Sequence, residues 1–85
     1  MKDKKKMSAI PQTQWEALVY GKDISRNHTT QTYEPFTIEA LKAREDAAGE
    51  GRSLNGISND LENLIERGLM VKHYTVTAAG AEHQQ

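Results

Sequence analysis

Residues 61–80 read LENLIERGLMVKHYTVTAAG. Leucines at helical spacing run into Arg67-Gly68-Leu69, a β-type stretch follows, and Thr77-Ala78-Ala79-Gly80 starts again. Working back from this stretch, Ser53 reads as an N-cap, and Leu54, Ile57, Leu61, Leu64 and Ile65 fall on one apolar stripe of a helix. The opposite face carries Asn55, Gly56, Ser58, Asn59, Glu62, Asn63 and Glu66. Gly68 stands where a left-handed residue closes the helix. Leu69, Met70 and Val71 then lead into one strand and Tyr74-Thr75-Val76 into another. Lys72-His73 between them is a very tight turn that lacks the Asn-Gly or Asp-Gly signal of a two-residue hairpin. Thr77 caps a last short helix, from Ala78 to about His83.

Upstream, Pro35-Phe36-Thr37-Ile38 predicts a second helix with Thr37 as N-cap and Phe36 and Leu41 placed as a hydrophobic staple. It runs through Ala40, Leu41, Ala43, Ala47 and Ala48 until Gly49 and Gly51 break it. Its charges, Glu39, Lys42, Arg44, Glu45 and Asp46, are expected on a solvated face. The stretch from Lys22 to Glu34, KDISRNHTTQTYE, has no helical period and reads as a long loop, with a short extended piece around Thr30 to Tyr33. Loops of this length in a small domain are uncommon and often functional. A first helix is expected from Pro11 to about Tyr20. Thr13 and Glu16 form a capping box, Trp15, Leu18 and Val19 share one face, and Gly21 ends it. Alternatively Pro11 occupies the first turn of a helix begun near Ser8.

Eighty-five residues make one domain with room for one small core. The expected core is Trp15, Leu18, Phe36, Leu41, Leu54, Ile57, Leu61, Leu64, Leu69 and Val76. The chain has no cysteine, which excludes a disulfide framework and a thiolate zinc site. No apolar run approaches a membrane span or a signal-peptide core, so no membrane partner and a cytoplasmic location are expected. Residues 1–8, with Lys4, Lys5 and Lys6, read as a disordered basic tail, and 9–85 as the folded domain. The formal net charge is −1, so nothing global announces a nucleic-acid ligand.

Helix, helix, helix, Gly-Leu, strand, strand and Thr-x-x-Gly is the order of a winged helix-turn-helix domain. ISNDLENLIERGLM and YTVTAAG resemble that family, in particular regulators of the MarR and PadR types. Leu61, Leu64, Gly68 and Leu69 match the end of the family's third helix. Tyr74, Val76, Thr77 and Gly80 match the segment after its wing, with Val in place of Leu. The resemblance covers roughly Thr37 to Gly80. It implies an α+β, mainly helical fold with a three-helix core, a minimal two-stranded wing and a short C-terminal helix. Two departures stand out. Only Val71-Lys72-His73 is available for a wing that is usually a basic, glycine-containing hairpin. From Thr37 to Arg67, four basic residues face seven acidic ones, a net −3.

The resemblance further implies that the first turns of the third helix enter the major groove of DNA, which maps onto Ser53, Asn55, Gly56, Ser58 and Asn59. Asparagine can pair bidentately with adenine, and serine bonds phosphate or base edges. Gly56 would let the backbone approach DNA closely. Arg52, just before the helix, is a candidate for a phosphate or a guanine, and Lys72 with the tail lysines Lys4, Lys5 and Lys6 for phosphates. Beside each contact stands a plainer reading, in which Ser53 and Asn55 cap the helix and the rest is solvated surface.

His28, His73 and His83 have no metal-ligand spacing, and no nucleophile motif or phosphate-cradling loop occurs, so no cofactor, metal or enzymatic activity is expected. Two functions follow. One is a small DNA-binding transcriptional regulator on double-stranded DNA, with helix 1, the long loop or the terminal helix available for a homodimer. The other is a protein-interaction module in which Glu62, Asn63 and Glu66 hold a basic partner and DNA is not touched.

Overall fold

The computed structural model describes residues 9–84. In chain order these form α1 (Gln12–Ser25), the antiparallel pair β1 (Arg26–Asn27) and β2 (Thr32–Tyr33), then α2 (Ile38–Ala47) and α3 (Leu54–Glu66). A second antiparallel pair, β3 (Met70–Val71) and β4 (Thr75–Val76), leads into α4 (Ala78–Glu82). Over these residues the fold is α+β and mainly helical. The three long helices pack pairwise, β3 lies against α3, and β4 against α1. The expected disorder of residues 1–8 falls outside the described residues.

The third helix closes as its glycine requires. Gly68 has φ +81°, its N–H donates to Ile65 O at 3.0 Å, and the Leu69 N–H donates to Leu64 O at 3.0 Å. This is a Schellman closure, which satisfies two end carbonyls and turns the chain into β3. Three other expected caps also form. Thr37 accepts from Ala40 N, Ser53 from Gly56 N and Thr77 from Gly80 N.

Burial follows the third-helix stripe. Ile57, Leu61 and Leu64 are fully buried with Leu18, Leu41 and Leu69, and Val76 is nearly so. Ile10, Ala17 and Met70 join them. Trp15 and Phe36 are only partly buried against this cluster. Leu54 is 42% exposed, because it stands on the first turn of α3 at the rim of the packing.

Four expectations are corrected. First, α1 starts behind Pro11 with no side-chain cap and runs through Gly21 to Ser25. Thr13 does not cap it; its hydroxyl donates to Asp60 Oδ1 at 3.3 Å. Gly21 is a packing residue: a Cβ there would lie 3.0 Å from Phe36 Cζ and 3.3 Å from Met70 Cε. Second, residues 22–34 are not a loop. Helix fills the first part, and a hairpin pairs Arg26 with Tyr33 and Asn27 with Thr32. The Asn27 carboxamide accepts from the N–H groups of Thr29 and Thr30 and so shapes the turn.

Third, Glu45 is not on a solvated face but fully buried, whereas Ala40, Ala43, Ala47 and Ala48 are exposed. Fourth, the link between β3 and β4 is three residues, Lys72 to Tyr74, with Met70 opposite Val76 and Val71 opposite Thr75. His73 and Tyr74 both adopt left-handed backbone, at φ 73° and 56°. No helix among the described residues is long and apolar enough to cross a membrane.

Candidate interface on the third helix

The α3 sequence separates two faces. Ile57, Asp60, Leu61 and Leu64 point inward. Asn55, Asn59, Glu62 and Glu66, spaced four, three and four residues apart, form one exposed ridge. Among the described residues, the carboxamides of Asn55 and Asn59 have no hydrogen-bond partner. Ser53 is exposed but its hydroxyl is engaged, accepting from Gly56 N at 3.1 Å. Gly56 and Ser58 are half-buried on the flank of the ridge. Asn63, also half-buried, donates through Nδ2 to Asn59 O at 2.9 Å. Asn55 and Asn59 thus stand one turn apart at the outer start of α3, while Ser53 is occupied as its cap.

Arg52 is placed elsewhere. Its Nη1 donates to Glu45 Oε1 at 3.2 Å and its Nη2 is paired with Asp60 Oδ2, with the side chain only 17% exposed. The guanidinium therefore ties α2 to α3 across the turn that joins them, and Lys42 Nζ donates to the Arg52 carbonyl at 3.0 Å. Burial pushes the Glu45 carboxyl above the usual glutamate range, with Arg52 opposing from one side. Glu45 Oε2 has no hydrogen-bond partner. Asp60, in contrast, is satisfied by both Arg52 and Thr13.

Spacing carries a partial signal for this buried cluster. Glu45 lies four residues after Leu41, the one large apolar residue in the middle of α2. Asp60 lies three after Ile57 and just before Leu61. Charge at a stripe position signals an internal pair, since an unpaired buried charge is too costly to keep.

Lys72 is exposed on the β3–β4 turn and, among the described residues, has neither an ion pair nor a hydrogen bond. With His73 and Tyr74 it faces Glu62 and Ile65 across a groove of about 430 Å³. Arg67 is exposed as well, but its Nε donates to Gln14 Oε1 at 3.0 Å. Lys4, Lys5 and Lys6 lie outside the described residues. Residues 9–84 hold seven lysines and arginines against eleven acids, so the folded part is net −4. No protein-family model, characterised protein or solved structure matches the chain.

Proposed function

We propose that the chain is a small, non-enzymatic winged helix-turn-helix regulator that binds double-stranded DNA in the cytoplasm. In this reading the outer start of α3 enters the major groove and β3–β4 serves as a minimal wing. The observation that carries it is the pair Asn55 and Asn59. Two unpartnered carboxamides stand one turn apart on the most exposed ridge of the helix, where each can reach an adenine edge.

Phosphate contacts then fall to Lys72 and the tail, because Arg52 is held by two carboxylates. Thr13 is bonded to Asp60 on α3, and Lys6 lies seven positions before it, a reach of at most about 25 Å. Tail lysines tethered at that distance can meet the phosphates flanking the groove. Binding by these four cations is weak, with a salt slope no steeper than about −4. Fluorescence anisotropy with a random duplex, at low and moderate salt, tests this. Replacing Lys4, Lys5 and Lys6 by Gln should flatten the salt slope by about 2–3. Absence of duplex binding at low salt sinks the reading.

A second reading rests on the acidic end of the same ridge. Glu62 lines the groove with Ile65, Lys72, His73 and Tyr74, and Glu66 continues the exposed acidic ridge one turn further along α3. That surface fits a basic protein segment with an apolar side chain, and predicts partner binding without duplex binding. Sizing the free protein in the same experiments tests the homodimer.

A further inference from the structure

The hairpin that replaces the expected loop builds a second concavity, remote from the α3 ridge in sequence and in the elements that line it. It lies between the C-terminal half of α1, the β1–β2 hairpin and α2, with a volume of about 440 Å³. That is within the range of small-ligand sites, roughly 300–1,000 Å³. In a folded part that is net acidic, three cations gather on it: Lys22, Arg26 and Arg44. Two tyrosines, Tyr20 and Tyr33, supply flat walls, and each carries a guanidinium over its face. Arg44 Cζ is 4.8 Å from the Tyr20 ring centre and Arg26 Cζ is 5.2 Å from that of Tyr33.

The donors differ in how far they are committed. Arg44 gives Nε to Asp23 Oδ2 at 2.7 Å, and among the described residues its two terminal nitrogens have no acceptor. Arg26 gives Nη1 to the Tyr33 hydroxyl and Nη2 to Gln31, while its Nε is buried with no acceptor. Lys22 Nζ donates to Ala81 O at 3.3 Å and lies 5.9 Å from the centre of the Trp15 ring, neither of which lines the concavity. Among the described residues that line the concavity Asp23 is the one acid, its side chain 58% exposed, and the Tyr20 hydroxyl is already given to Glu50 Oε2 at 3.2 Å. A guanidinium edge offering paired N–H donors, held over a tyrosine, matches an oxyanion with two coplanar acceptor oxygens. The half-buried Arg26 guanidinium, lying over Tyr33, offers a plane that suits a flat ring carried by the same ligand.

We propose that this concavity binds an organic phosphate bearing a planar ring, of the nucleoside monophosphate class. The phosphate meets the Arg44 edge and the ring stacks on the Arg26–Tyr33 wall. Such a unit can come as a free mononucleotide or as the phosphorylated end of a strand. The proposal is independent of DNA binding by α3, since no residue is shared.

The test is an NMR titration of the full chain, reading backbone amides of residues 19–33 and 44. Adenosine 5′-monophosphate is titrated beside inorganic phosphate, adenosine and a 5′-phosphorylated short oligonucleotide. Saturable shifts are expected with the monophosphate, at least about tenfold weaker binding with inorganic phosphate, and none with adenosine. Arg44→Gln should weaken the monophosphate about tenfold. Asp23→Asn, which removes the competing carboxylate, should tighten it about threefold. A gain of that kind cannot come from unfolding, so it decides the case even if Arg44→Gln folds poorly. The oligonucleotide arm identifies the source: tighter binding than the mononucleotide assigns the site to strand ends, and equal or weaker binding to the free nucleotide. No saturable shift, equal binding by inorganic phosphate, or an Asp23→Asn variant that fails to tighten would overturn the proposal.

Discussion

The inner and outer faces of α3 use the same thirteen residues in opposite ways. Inward, Ile57, Leu61 and Leu64 are completely covered, and even the charge among them, Asp60, is bonded to Arg52 and Thr13. Outward, Asn55, Asn59, Glu62 and Glu66 touch solvent. The first face determines whether the domain folds, while the second determines what it can meet. Within the outer ridge a further split runs along the axis, with neutral amides at the start and acids at the end. Variants on the inner face should therefore change stability first, and variants on the outer ridge should change binding alone.

The largest effects are expected inside. Arg52→Ala leaves Glu45 and Asp60 buried without their cation, a loss of ~3–5 kcal/mol for a broken buried pair. Leu61→Ala removes a fully buried side chain and should cost ~2–5 kcal/mol. Either value is a large part of a small domain's stability, and urea melts measure both. A near-neutral Arg52→Ala would mean that the guanidinium is dispensable to the α2–α3 turn and free for a phosphate.

The same cluster has a pH signature. The Glu45 carboxyl binds its proton more tightly folded than unfolded, because burial raises its pKa. Ionised Glu45 therefore lowers stability above its folded pKa, and this penalty disappears as pH falls towards the ordinary glutamate value. Stability of the wild type relative to Glu45→Gln should rise across that acidic window. A difference that stays flat with pH would show that Arg52 keeps Glu45 as easily ionised as in the unfolded chain.

What could be read in advance follows the same division. Apart from the exposed Leu54, the α3 stripe, its Schellman glycine and the caps at Thr37, Ser53 and Thr77 are local signals, and each is where the spacing puts it. The failures are tertiary. Gly21 looks like a stop, but it is small because Phe36 packs on it. Arg26 and Asn27 have no strand propensity, and pair only because the Asn27 side chain organises the turn beyond them. Glu45 reads as solvated surface because the alanines of α2 imitate an apolar face while Leu41 and Glu45 hold the inner one. Of the candidate contacts, Asn55 and Asn59 share the exposed ridge and Ser53 is spent on the cap, whereas Arg52 is withdrawn into the cluster by partners 7 and 8 residues away.

On the outer ridge the effects are smaller and appear only in binding. Asn59→Ala should leave stability unchanged within about 0.5 kcal/mol, since the side chain is exposed and unpartnered. In the DNA reading it weakens a cognate duplex by ~1–3 kcal/mol and relaxes the base preference. Duplex binding that Asn59→Ala leaves unchanged at a selected site would remove α3 from the major groove.

The smallest change sharpens the split along the ridge itself. The double variant Glu62→Gln, Glu66→Gln touches two exposed acids at the far end of α3 and should shift stability by no more than about 0.5 kcal/mol. Its value lies in sign. If DNA lies along α3, these carboxylates face phosphates, and neutralising them should tighten duplex binding severalfold at low salt and less at high salt, where screening has already reduced the repulsion. If the groove beside Ile65 and Tyr74 holds a basic protein segment, the same variant removes the attracting charge and weakens that complex, leaving any feeble duplex binding where it was. Measuring the variant against a duplex and a lysine-rich peptide, in one salt series, therefore reads both ends of the helix at once. Tightened duplex with indifferent peptide favours the amide end as the working surface; weakened peptide with indifferent duplex favours the acidic end.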